Sequence, residues 1–304
     1  MMKLGLVSAI LPDFSFEEVF DYAKSVGLTC VEVCCWPVGK AERRYAGVTH
    51  INLDELTDEK IKHYKSYAQK SGVEISSLGY YPNALSANKD EAAVAIEHIH
   101  KLIRASAKMG INMVTTFIGR DQTKTVEENL ELYKQVWTPI VKLAEELNVR
   151  IGIENCPMSF TKDEWPGGKN LAAAPYIWRQ MFELIPSKNL GLNYDPSHPY
   201  LIGADYVKPV YEFKEKIFHV HFKDIKIYQE KLDEYGRFAY PALWHSPKIP
   251  GLGGVNFAAL ISALNDIRFD GYACIEIEDK TFEASVESVK CAIEQSTRFL
   301  KQYV

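Results

Sequence analysis

Side chains able to hold a metal ion stand at the ends of short apolar runs in the second half of the chain. Val149–Asn155 (VRIGIEN) carries Glu154, and Asn189–Asp195 (NLGLNYD) ends on Asp195 with His198 three residues on. Ile217–Asp224 (IFHVHFKD) carries His219, His221, Lys223 and Asp224, and Tyr272–Glu278 (YACIEIE) carries Glu276 and Glu278. Ionised carboxylates at buried strand ends are costly unless something compensates them, and a divalent cation does so. Glu154, Asp195, His221 and Glu276 form a mixed oxygen and nitrogen donor set. Such a set suits one octahedral ion, Mn2+ first, with Mg2+, Co2+, Fe2+ and Zn2+ as alternatives. Four protein ligands leave two positions for adjacent substrate oxygens, so the metal would act as template and Lewis acid.

The two-residue period of a strand sharpens the choice. His219, His221 and Lys223 share one face, and His221, nearer the C-terminal rim, is the better ligand. His219 lies deeper and reads as an orienting core histidine. Glu276 is expected level with the other ligands, and Glu278 higher, at the rim. A single glutamate at a strand end is more often one half of an ion pair, and a lone strand histidine more often a hydrogen-bonded core residue. The weight lies in four consecutive runs that all end in ligand-type side chains.

What must position these residues is an alternation of strand-like and helical runs from end to end. The earlier strand-like runs are Lys3–Ala9, Cys30–Cys35, Val73–Tyr80 and Asn112–Gly119. Between them lie helical stretches with recognisable ends. Ser15 and Glu18 form a capping box with Gly27 as the stop, Gly72 closes a helix near Thr57–Ser71, and Gly110 closes Asn88–Met109. Val126–Leu147 reads as a helix that Pro139 should kink or divide. A shorter helical piece is expected around Asp205–Glu215, then a long covering loop over roughly Ile225–Gly254. Alternating strands and helices imply parallel pairing, and eight such units point to a single (β/α)8 barrel, a TIM barrel, spanning residues 1–304. A doubly wound open sheet is the runner-up, but no strand is followed by a dinucleotide or P-loop glycine pattern. In such a barrel the active site lies at the C-terminal strand ends, where the four candidate ligands fall.

Composition narrows the partners. A net charge of −5 argues against nucleic acid, whose binding rests on Lys and Arg at phosphates. The N-terminus lacks a signal-peptide pattern, and no apolar stretch is long enough to span a membrane. The six cysteines show no CxxC pair, so the chain reads as cytoplasmic and reduced, with room for a homo-oligomer. Gly251–Gly254 would bind an anion if it opened a helix N-terminus.

The motifs G-I-E-N-C-P (Gly152–Pro157), N-Y-D-P-S-H (Asn193–His198), H-V-H-F-K-D (His219–Asp224), P-G-L-G-G-V-N-F (Pro250–Phe257) and G-Y-A-C-I-E-I-E-D (Gly271–Asp279) occur in this order. In order and spacing the chain resembles the sugar phosphate isomerase/epimerase superfamily, the xylose-isomerase-like or AP-endonuclease-2-like barrels. The resemblance covers nearly the whole chain. It implies metal ligation by Glu154, Asp195, His221 and Glu276, with Glu154 and Glu276 also acting as the catalytic acid/base pair. It implies that His198 contacts substrate. The implied reaction is proton abstraction next to a carbonyl, through a metal-stabilised enediolate of a ketose or 3-keto-sugar. Epimerisation or isomerisation would follow, or elimination by a lyase if a leaving group sat β to the carbonyl. Ketose 3-epimerases of the superfamily carry an Arg six residues after the metal histidine, where this chain has Ile227. With E-N-C-P and the Trp165-Pro166-Gly167-Gly168 loop, this points toward larger oxidised sugars such as 3-keto-glycosides. Trp36, Trp165, Tyr80 and Lys223 are further candidate substrate contacts; Tyr81 and Trp244 are other rim aromatics. A trinuclear nuclease of the same superfamily would need more histidines on the early strands, but those runs end in Cys35, Tyr80 and Gly119. A non-catalytic partner subunit is disfavoured because all four ligand positions are filled.

Overall fold

Strands buried on both faces explain the near-continuous apolar runs of the sequence, since a parallel sheet covered by helices has no wet side. The structure, a computed structural model, describes residues 2–39 and 46–304. Eight parallel strands close a barrel: β1 (Lys3–Val7), β2 (Cys30–Cys34), β3 (Glu74–Gly79), β4 (Met113–Thr116), β5 (Arg150–Glu154), β6 (Leu190–Tyr194), β7 (Ile217–Phe222) and β10 (Tyr272–Ile275). Neighbours in sequence are neighbours in space, and β1 pairs with both β2 and β10 to complete the ring. The fold is thus the TIM barrel expected.

The helices begin and end where the local chemistry asks them to. Helix α1 (Phe16–Ser25) carries the Ser15/Glu18 capping box. α2 (Asp58–Ser71) is capped by Thr57 and stopped by left-handed Gly72; α3 (Lys89–Met109) is capped by Asn88 and stopped by left-handed Gly110. α4 (Val126–Glu146) opens on a second capping box, Thr125/Glu128, and runs on through Pro139 as one helix. The expected division at Pro139 does not occur. Helix burial supports it: Trp137, Ile140 and Val141 on either side are fully or almost fully buried, and Trp137 Nε1 donates to Ile118 O at 3.0 Å. On the next turn of the barrel α5 (Pro175–Leu184) packs Trp178 into the same layer, its indole donating to Ala172 O at 2.7 Å.

Two departures from the sequence reading lie on the C-terminal side. The short helical piece expected around Asp205–Glu215 is α7 (Lys208–Glu212), and an unexpected short helix, α6 (Ser197–Ile202), precedes it and ends on left-handed Gly203. The long loop is an arm with structure of its own. Strands β8 (Asp224–Ile227) and β9 (His245–Lys248) pair antiparallel and enclose α8 (Gln229–Tyr235). Trp244, Leu201, Ile225 and Leu232 form its core, so Trp244 packs the arm rather than facing the barrel mouth.

Asp224 ties this arm down. Its buried carboxylate accepts from the backbone N–H groups of Ile225 (2.8 Å), Gly251 (3.0 Å), Gly253 (2.9 Å) and Val255 (3.0 Å). A Cβ on Gly253 would lie 2.2 Å from Asp224 Oδ1, which is why glycine stands there. The anion these glycines bind is therefore the protein's own Asp224. They do not open a helix, since α9 (Phe257–Asp266) starts later and is capped by Asn256. After β10, α10 (Val286–Leu300) closes the outer layer. Replacing Asp224 with Ala strands four backbone donors, so we expect a loss of about 3 kcal/mol in urea unfolding and faster proteolysis within residues 225–254. An unchanged unfolding midpoint would refute this role for Asp224.

Candidate metal centre

Strand register brings the four candidate ligands together. Glu154 is the last residue of β5, Asp195 directly follows β6, His221 lies one residue before the end of β7, and Glu276 directly follows β10. Glu154 is paired with Asn193, Asn193 with His219, and His221 with Cys274. By register, Asp195 and His221 stand two residues above the level of Glu154, and Glu276 two residues beyond the partner of His221. One ligand atom from each of Glu154, Asp195, His221 and Glu276 lies within 4.8 Å of all the others.

The strand ends are held at this spacing by amide side chains. Asn155 clasps Asp195 twice, donating to its carbonyl and accepting from its N–H, each at 2.8 Å. Asn170 donates to the carbonyls of Glu154 (3.0 Å) and Cys156 (2.7 Å) and accepts from the N–H groups of Ile118 and Gly119, joining the ends of β4 and β5.

His221 is oriented from behind. Its Nε2 lies 2.9 Å from Glu32 Oε2, while Nδ1 faces Glu276 Oε2 at 3.1 Å and Glu154 Oε1 at 3.8 Å. Donation of the Nε2 proton to Glu32 leaves the Nδ1 lone pair for a metal, the carboxylate–histidine–metal arrangement that fixes tautomer and ring angle. Glu32 is fully buried on β2 and also accepts from the Tyr81 hydroxyl. Asn193 donates to the Tyr81 oxygen at 3.1 Å and accepts from His219 Nδ1 at 3.0 Å, and His219 Nε2 meets Ser76 Oγ at 3.0 Å. His219 thus lies in the hydrogen-bonded layer beneath the ligands. Sequence reasoning from strand ends passes over Glu32. Its signal is a lone carboxylate within the apolar run C-V-E-V-C-C, where burial demands a partner.

The electrostatics are those of a crowded acidic centre. Burial pushes the Glu32 carboxyl up, but the charges of His221 and then His219 prevail and hold it below the usual range. Burial likewise opposes ionisation of Glu154 and Asp195, and His198, His221 and Lys223 outweigh it at Glu154, as His198 and Lys223 do at Asp195. Burial raises Glu276, and its neighbouring cations do not fully offset that. His221 resists its own burial and sits well above the ordinary imidazole value because Glu32, Glu154 and Glu276 surround it. His198 Nε2 lies 3.2 Å from Glu154 Oε1 and 3.3 Å from Asp195 Oδ2. Lys223 Nζ lies 3.0 Å from Glu276, 3.2 Å from Asp195 and 3.4 Å from Glu278.

A divalent ion fits this donor set on one direct observation. Asp195 Oδ2 and His221 Nδ1 are buried, point into the cluster and make no aligned hydrogen bond. Their near neighbours are ion-pair partners, Lys223 and His198 at 3.2 and 3.3 Å from Asp195 and Glu276 at 3.1 Å from His221. Buried polar atoms are rarely left so without a function. Among the other candidates, Trp36, His221, Lys223 and Glu276 line the central cavity, as does Tyr81. Tyr80 points elsewhere, its ring edge-on to Trp36 (4.9 Å) and His98 (4.7 Å), and lines an adjoining cleft. Trp165, half-buried on the loop after β5, lines neither.

A family model described as the xylose isomerase-like TIM barrel matches residues 20–303. The chain belongs to this family. An uncharacterized protein of Bacillus subtilis, YfiH, is 24% identical over 332 aligned positions, covering 97% of this chain and 100% of the relative. An inosose dehydratase of Clostridium perfringens is 27% identical over 103 residues, 33% of this chain and 34% of the relative. Among solved structures, a D-psicose 3-epimerase from Clostridium cellulolyticum H10 superposes with a TM-score of 0.73 at 15% identity, covering 99% of both chains. The probable 3-DHS dehydratase AsbF from Bacillus anthracis gives 0.72 at 18% identity, also over 99% of both. These structural likenesses concern the fold.

Two outcomes follow from the centre. Glu32→Gln keeps the shape but weakens orientation of His221, so Mn2+ affinity by calorimetry should fall about 10- to 100-fold with circular dichroism unchanged. Unchanged affinity would remove Glu32 from the centre. Because the His221 pKa is raised, the proton it holds must leave before Nδ1 can bind metal. Apparent Mn2+ affinity should therefore fall as pH falls, by up to about tenfold per pH unit for each proton released. Binding enthalpies that do not vary with buffer ionisation enthalpy would show that no proton is released.

Proposed function

We propose that this protein is a divalent-metal-dependent sugar isomerase or epimerase acting on a ketose or a 3-keto-sugar or glycoside. The observation that carries the proposal is the meeting of two glutamates from separated strands, Glu154 on β5 and Glu276 after β10, at one cluster with Asp195 and His221. A divalent ion held there, Mn2+ by preference, would polarise a substrate carbonyl and offset the negative charge that develops as the neighbouring carbon loses its proton.

The remaining work falls to the chain's own residues. Glu154 and Glu276 come from strands that β6 and β7 separate in the ring. In this reading one removes the carbon proton and the other returns a proton on the opposite face, inverting the centre. Return of the proton to the adjacent carbon gives isomerisation instead. Lys223 and Trp36 line the cavity, the lysine to hold a substrate oxygen and the indole to offer an aromatic wall for the sugar ring, and His198, buried 3.2 Å from Glu154, is assigned as a further substrate contact. Asp195 and His221 serve as ligands alone.

A lyase is the second reading. Proton removal beside a carbonyl becomes elimination if a β-hydroxyl leaves as water, and His198 and Lys223 are buried donors able to protonate it. The partial match to an inosose dehydratase is in keeping with this outcome.

The test is a panel of ketoses and 3-keto-glycosides with Mn2+ in D2O, followed by NMR and mass spectrometry. Deuterium should enter at the carbon beside the carbonyl, and chelation of the metal should stop it. Glu154→Gln and Glu276→Gln should each slow exchange by at least about 100-fold, the scale of a lost general acid or base. Metal-loaded protein that neither exchanges nor turns over any member would count against an enzyme of this class. A Glu154→Ala protein as active as the wild type would return the non-catalytic reading.

A further inference from the structure

The cavity above the metal centre does not end there. Trp36, Tyr81, Phe117 and Met158 line both it and a second, open cleft that runs toward α3. On the α3 side the cleft is walled by Val94, a large apolar residue left 57% exposed on the helix. A monosaccharide seated at the metal centre would leave this continuation empty.

Among the described residues, the polar side chains of the cleft are engaged within the protein or stand exposed at its rim. Asn83 accepts from the N–H groups of Arg120 (2.7 Å) and Leu85 (3.2 Å) and donates to Arg120 O at 2.8 Å. Glu91 accepts from the Ser86 hydroxyl at 2.9 Å, and Lys169 pairs with Asp163 at 2.5 Å. The charged Asp90 and Glu91 lie exposed at the rim, so the wall between Trp36, Phe117 and Val94 meets a ligand with apolar surface rather than with partners for sugar hydroxyls. A planar apolar ring needs only contact area and aromatic faces or edges, which Trp36, Tyr81, Phe117 and Val94 provide.

We infer that the substrate of this site is a keto-sugar joined to an apolar planar group, and that the group lies in the cleft between Trp36, Phe117 and Val94. This rests on the keto-sugar reading of the metal centre. The experiment separates the two. Binding of 4-nitrophenyl and methyl β-glucosides to the Mn2+-loaded protein is measured by calorimetry, and deuterium exchange is measured on the corresponding 3-keto-glucosides. The aryl ligand should bind about tenfold more tightly than the methyl ligand, the scale of one good aromatic contact. Val94→Glu, on an exposed helix position, should abolish that preference and leave exchange on the methyl 3-keto-glucoside unchanged. Equal affinities, or a preference that survives Val94→Glu, would overturn the cleft assignment even if exchange is seen. An aryl preference lost in Val94→Glu, with no exchange on either keto-glucoside, would sustain the cleft and overturn the reaction.

Discussion

Crowding of Glu154, Asp195 and Glu276 around one point is the constraint on which the rest of the barrel mouth depends. Carboxylates so close, two of them fully buried, are unstable together unless cations stand among them. The chain supplies His198, His221 and Lys223, and Asp195 Oδ2 and His221 Nδ1 meet their partners as ion pairs rather than as aligned hydrogen bonds. That arrangement costs folding stability and is intelligible as preparation for a more concentrated positive charge.

Supporting structure is graded by distance from this point. Asn155 and Asn170 lock the backbone of the strand ends, so that the ligands are placed by rigid elements rather than by loops. Glu32, Tyr81, Asn193, His219 and Ser76 form a polar layer within the barrel that sets the ring of His221. Such a layer is tolerated in a barrel interior because each member satisfies the next. Farther out, Asp224 does for the C-terminal arm what a bound anion does for a glycine-rich loop, gathering four N–H groups and pinning the arm beside the site.

This layering divides the site from its specificity. The candidate metal centre is built from strand ends, whose positions follow from the closed barrel. The cavity walls come from loops and from the outer face of α3, which can change without disturbing the ligands. The aromatic path from Trp36 to Val94 belongs to that variable part, whereas Ile227 packs against the core of the C-terminal arm.

Much of the fold was legible in the amino-acid order because it is written locally. Apolar runs alternating with capped amphipathic helices name eight β/α units, and period-two counting places Glu154, Asp195, His221 and Glu276 at strand ends. Local signals fell short where burial decides the outcome. Pro139 leaves α4 undivided because flanking Trp137 and Ile140 are buried, and the arm over residues 225–254 is organised by a carboxylate whose four partners are up to 31 positions away. The sequence by itself determined which residue types sit at which strand ends, since that follows from periodicity along one chain segment. Only the tertiary structure decided that Glu32 of β2 backs His221 of β7, that Tyr81 rather than Tyr80 faces the centre, and that Asp224 occupies the glycine loop. These depend on contacts between segments far apart in the chain, and closing the barrel is what brings those segments within hydrogen-bonding distance.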